Sequence, residues 1–89
     1  MGKITIMSSD GTKKDVEGAF SFDAVIDIKT NVVDISGIMT VRGGYVDDAV
    51  MIENDRYELT GVRIYAESYG SETEDITYSF KATDYSITI

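Results

Sequence analysis

The chain is expected to fold as one all-β domain, a small antiparallel β-sandwich or partly open barrel of about seven short strands. Three observations predict this. Apolar and polar residues alternate with period two along much of the sequence, the pattern of half-buried strands. Gly, Asn, Asp and Ser recur at short intervals as turn formers. No long segment carries the 3.6-residue period of an amphipathic helix.

Lys3–Met7 begins the first strand, with Ile4 and Ile6 on one face. Ser9–Thr12 turns the chain, and Asp10-Gly11 supplies the positive-φ residues that a tight hairpin needs. Gly18 punctuates the return. A second strand follows over Ala19–Lys29, where Phe20 and Phe22, then Ala24, Ile26 and Ile28, occupy alternate positions. Thr30-Asn31 is the next turn and Val32–Val41 the return strand. Gly37 inside it predicts a bulge or bend with a change of phase, after which either Ile38 and Thr40 or Met39 and Val41 face inward.

Arg42-Gly43-Gly44 breaks the pattern. The stretch Tyr45–Asp55 is read as holding a short strand, with Asp47 a candidate cap for a helical turn. Arg56–Glu67 reads as one strand bulged at Gly61, and Ser68–Glu74 as a polar loop. Ile76–Ala82 has the cleanest alternation. Asp84 marks a kink, and Tyr85, Ile87 and Ile89 end the chain on a strand. Proline is absent, so sheet edges must be protected by charges such as Asp27, Lys29 and Asp34, or left open for pairing with another chain.

At 89 residues the chain suits a single domain, 1–89, with one modest core. A hydrophobic fraction of 43% beside 27% charged residues is the composition of a globular domain rather than of a disordered one. Cysteine is absent, which excludes disulfides and thiolate metal sites and leans toward a reducing compartment. The N-terminus has no apolar signal region, and no apolar run is long enough to span a membrane. The expected location is therefore cytoplasmic, or assembled into a virion.

Net charge is −8, and it is uneven. Residues 1–45 hold 6 acids and 5 bases, whereas residues 46–89 hold 10 acids and 3 bases. The asymmetry can mark an electrostatic binding face, although charge of this size also serves solubility. Direct nucleic-acid binding is disfavoured, because phosphate contacts need clustered bases and Lys13-Lys14 is the only adjacent pair.

The chemistry available is narrow. With no histidine and no cysteine, the usual general base, the serine triad and thiol catalysis are all lost. Gly43-Gly44 lacks the Lys-Ser/Thr and the helix of a phosphate-binding loop. Paired carboxylates remain, but a small β-domain without tryptophan offers little surface for stacking a sugar. The protein is expected not to be an enzyme and to use no cofactor.

Two acidic clusters stand out. Asp47, Asp48, Glu53, Asn54 and Asp55 supply the oxygen ligands that Ca²⁺ prefers, without the spacing of a calcium loop, and read more plainly as a solvated loop beside Val50-Met51-Ile52. Glu67, Glu72, Glu74 and Asp75 lie close to Tyr65 and Tyr69. Tyrosine offers a large contact area at low entropic cost, so these six residues are the candidate partner-binding site. The plainer reading is that Tyr65 packs along its strand and the loop is merely polar. Tyr45, Tyr57, Tyr78 and Tyr85 are expected in the core or at its rim.

These readings converge on a non-catalytic binding or structural assembly module that engages a protein partner or copies of itself. With its Asn/Asp/Gly hairpins and strand-ended C-terminus, the chain resembles in general make-up the small accessory components of phage particles and tails, which implies a place in such an assembly. The alternative is an acidic inhibitor that presents the carboxylates of its C-terminal half to a basic, nucleic-acid-binding partner. A sugar- or calcium-binding module is the third possibility.

Overall fold

The computed structural model describes residues 2–44, 46, 48–70 and 73–88. Among them the fold is all-β, with eight strands: β1 (Lys3–Ser8), β2 (Lys13–Ile26), β3 (Val33–Arg42), β4 (Ala49–Glu53), β5 (Tyr57–Thr60), β6 (Arg63–Tyr69), β7 (Asp75–Ala82) and β8 (Asp84–Ile87). They form one antiparallel sheet in the order β6-β7-β3-β2-β1-β4-β5-β8, which does not close into a barrel.

The sheet folds over on itself at β2. The N-terminal half of β2 pairs with β1, from Lys13 to Glu17. Its C-terminal half pairs with β3, from Gly18 to Ile26. Gly18 sits at the switch, where a Cβ would lie 2.5 Å from the Thr40 carbonyl oxygen. The expected break at Gly18 is therefore a change of pairing partner inside one 14-residue strand.

The folding-over brings two inner faces together. Ile4 and Ile6 of β1, Ile52 of β4 and Leu59 of β5 meet Ile35, Met39 and Val41 of β3 and Tyr78 and Phe80 of β7. All are buried, and their burial supplies the main driving force for the fold. Tyr78 is buried with its hydroxyl paired, accepting a hydrogen bond from the Val46 N–H at 2.8 Å.

Two glycine expectations need correction. Gly37 makes no bulge: β3 keeps unbroken register with β2 and with β7 through this position. Val33, Ile35, Met39 and Val41 consequently share one inward face. Gly37 is required because a Cβ would overlap the Ser21 carbonyl oxygen and lie 2.9 Å from Phe22 Cα. At Gly61 the expected single strand is instead two, since β5 pairs in one half of the sheet and β6 in the other. Gly61 turns the corner with φ of 63°. Its missing side chain makes room for Thr83, which turns the neighbouring corner and donates its N–H to the Thr60 carbonyl.

The sheet edges are β6 and β8. Asp34 lies where β3 extends past the end of β7, on an uncovered stretch of edge, while Asp27 and Lys29 fall in the turn that follows β2. The two outer strands are blunted by other means: β8 is only four residues long, and β6 carries a bulge between Ile64 and Ala66.

Candidate functional site

The bulge in β6 decides the fate of the tyrosine–acid site. Ile64 is opposite Phe80, and Ala66 is opposite Ser79, so Tyr65 is the extra residue. Beyond it, Glu67 is opposite Tyr78 and Tyr69 opposite Ile76, on the inward-facing side of the sheet edge. Tyr65 is on the outer face, where it walls a shallow depression with Ser21, Asp23, Ser36, Ile38 and Ser79 above Gly37. An unbroken strand would have put Tyr65, Glu67 and Tyr69 on one side. One extra residue separates Tyr65 from the other two.

The remaining members are also dispersed. Asp75 is opposite Arg42 and accepts from its Nε at 2.9 Å and its Nη2 at 3.4 Å. That hydrogen bond, reinforced by the opposite charge, holds the Asp75 carboxyl below the usual aspartate range. Arg42 also lies 3.8 Å from Glu17, so it cross-braces β2, β3 and β7. Glu74 is exposed, and its carbonyl accepts from the Gly43 N–H at 3.3 Å. Glu72 lies outside the described residues.

The other acidic cluster is engaged locally. Asp48 accepts from the Ser9 hydroxyl and N–H. Asn54 Oδ1 accepts from the N–H groups of Arg56 and Tyr57, both at 2.8 Å, and closes the β4–β5 turn. Asp47 lies outside the described residues. Among the described residues no three acidic side chains converge as metal ligands.

The feature that sequence reading missed is the end of the β2–β3 hairpin. Strand β7 covers β3 only as far as Ile35, which is opposite Ala82. Beyond that point β2 and β3 continue as a two-stranded ribbon through the pairs Val25–Asp34 and Ile26–Val33. The turn is well hydrogen-bonded. The Asp27 N–H donates to the Val32 carbonyl at 2.9 Å, and the Asn31 N–H to the Asp27 carbonyl at 2.8 Å. Asp27 Oδ1 accepts from the Lys29 and Thr30 N–H groups, and Asn31 takes the left-handed conformation with φ of 57°.

On this ordered ribbon the apolar side chains face solvent. Ile28 is 90% exposed, Val25 67%, Val32 58% and Ile26 54%. Val25 and Ile26 lie on opposite faces of the ribbon, so the projection carries exposed aliphatic side chains on both sides, more apolar surface than a solvated turn needs. The one sequence signal was the adjacency of Val25 and Ile26, and it was masked by the alternation of Ala24, Ile26 and Ile28, which reads as a covered strand.

A second apolar surface adjoins the first. Between β2 and β8 a cleft of about 530 Å³ is lined by Phe20, Phe22, Tyr57, Tyr85 and Ile87, with Arg56 the only charged side chain lining it among the described residues. Phe22 meets Tyr57 edge-on at 5.1 Å and Tyr85 at 5.7 Å. The four rings are half-buried, and Ile87 is 63% exposed. The expectation that Tyr57, Tyr78 and Tyr85 serve the core or its rim therefore agrees with the structure, while Tyr45 lies outside the described residues. No protein-family model, curated protein or solved structure matches the chain.

Proposed function

We propose that this protein is a non-catalytic binding and assembly module that works through the tip of its β2–β3 hairpin. The observation that carries this reading is the exposure of Val25, Ile26, Ile28 and Val32 on a ribbon whose backbone is fully turned and hydrogen-bonded. Aliphatic side chains held in water gain nothing for the fold. Covering them returns roughly 1.5–3 kcal/mol for each one fully buried, before the costs of association. The setting proposed for such a module is a larger assembly, of which a phage particle or tail is the instance that its general make-up resembles.

The test is site-specific photo-cross-linking from position 28 in the organism of origin. The expected result is a discrete adduct from position 28 that a probe at exposed Ser86 does not give. Equal, diffuse labelling from both positions would contradict the proposal.

A further inference from the structure

We propose that Asp10-Gly11 is the site at which this chain isomerises to isoaspartate, and that the β1–β2 turn withholds the reaction until the hairpin opens.

The two residues supply the reactivity. Asp10-Gly11 is the only Asp-Gly step in the chain, and the sequence holds no Asn-Gly. Every other aspartate is followed by a residue whose Cβ crowds its backbone nitrogen. Gly11 has no Cβ, so its nitrogen is open to the Asp10 side chain. In the reaction that nitrogen loses its proton and attacks Asp10 Cγ. A Cγ–N bond forms, the Cγ–OH bond breaks and water leaves, giving a cyclic succinimide. Water then adds back to one of the two ring carbonyls. Opening at Cγ restores aspartate. Opening at the other carbonyl leaves the main chain running through Cγ, longer by one carbon, with the α-carboxylate free.

The folded turn opposes each requirement. The Gly11 N–H donates to the Ser8 carbonyl at 2.9 Å, so the proton that must leave is held inside the turn. The Thr12 N–H donates to Asp10 Oδ1 at 2.9 Å, which ties the carboxylate to the residue beyond Gly11. The step also needs the neutral acid, whose hydroxyl can depart as water. The Thr12 N–H first, and the Thr12 hydroxyl after it, hold Asp10 ionised below the usual aspartate range. The Ser8 N–H closes the turn on the Thr12 carbonyl at 2.9 Å. Gly11 has φ of 90°, a conformation that suits glycine. The glycine that the hairpin needs is thus the residue that makes the step reactive, and the hydrogen bonds that build the hairpin suppress it.

The place of the turn makes conversion costly. It sets the register of β1 against β2, beginning at the Met7–Lys13 pair, and β1 lies between β2 and β4 in the sheet. An added main-chain carbon in a hairpin turn shifts that register.

The test follows isoaspartate at position 10 by peptide mapping with electron-transfer fragmentation. The full chain is held at neutral pH, either folded or in urea beyond its unfolding transition. Hydrogen exchange of the Gly11 amide is measured by NMR on the folded protein. Conversion is expected at Asp10 before any other aspartate in the unfolded chain, and at least about tenfold more slowly in the folded one. The suppression should be no smaller than the protection of the Gly11 amide, because both reactions need that N–H released from Ser8. Earlier conversion at another aspartate of the unfolded chain would overturn the assignment of the site. Equal rates in the folded and unfolded chain, or a suppression well short of the amide protection, would overturn the control by the turn.

Discussion

Arg42 on β3 faces Asp75 on β7 and grips both of its carboxylate oxygens. The hydrogen bond from Arg42 depresses the Asp75 pKa below the ordinary aspartate value. A depressed folded-state pKa stabilises the fold above the unfolded value of about 3.9 and is lost as pH falls through the lower folded value. Both side chains reach solvent, so the effect on stability is small. Carboxyl NMR titration is expected to place the Asp75 midpoint lower in wild type than in Arg42→Ala. Equal midpoints would contradict the role given to Arg42.

Gly37 is expected to tolerate no side chain. Its Cβ would press on the backbone of β2 at Ser21 and Phe22, which cannot move without disturbing a paired strand. Gly37→Ala should destabilise by about 1–3 kcal/mol in urea unfolding. Gly44, with no atom of the described residues within 4 Å of the equivalent point, is the control and should accept alanine with little change.

Removal of the Tyr78 hydroxyl leaves the Val46 N–H without its 2.8 Å acceptor in the buried interior. Tyr78→Phe is therefore expected to cost about 1–3 kcal/mol despite keeping the ring. A neutral Tyr78→Phe in the same unfolding assay would show that the hydroxyl has no structural part.

Charge reversal separates the two functional readings. Glu67 is on the edge strand β6, and Glu74 lies in the connection between β6 and β7; neither is on the β2–β3 ribbon. Glu67→Lys with Glu74→Lys should leave association through the hairpin unchanged at moderate salt. An acidic inhibitor would lose its basic partner on the same substitutions, as a pull-down with that partner would show.

Most of the fold was legible because alternation survives wherever one face of a strand is buried. The Asp10-Gly11 hairpin, the strand over Ile76–Ala82 and the turn containing Asn31 all follow from local residues. The misreadings share a cause, which is that they depend on what lies across the sheet. Gly37 looks like a bulge in sequence and is a close approach to β2. Tyr65 looks like one of an alternating series with Glu67 and Tyr69 and is the extra residue of a bulge. The hairpin tip was hidden for the same reason. Ala24, Ile26 and Ile28 alternate like a covered strand, and only the end of β7 at Ala82 leaves the last part bare.

The most direct test of the central claim compares stability with association in the double substitution Ile28→Asp and Val32→Asp. The tip makes no part of the core, so thermal unfolding should shift by no more than about 0.5 kcal/mol in equivalent stability. Light scattering on the same samples should show association, with itself or with the cross-linked partner, abolished. Association that persists in a folded double variant would contradict the account, because binding would then belong to another surface.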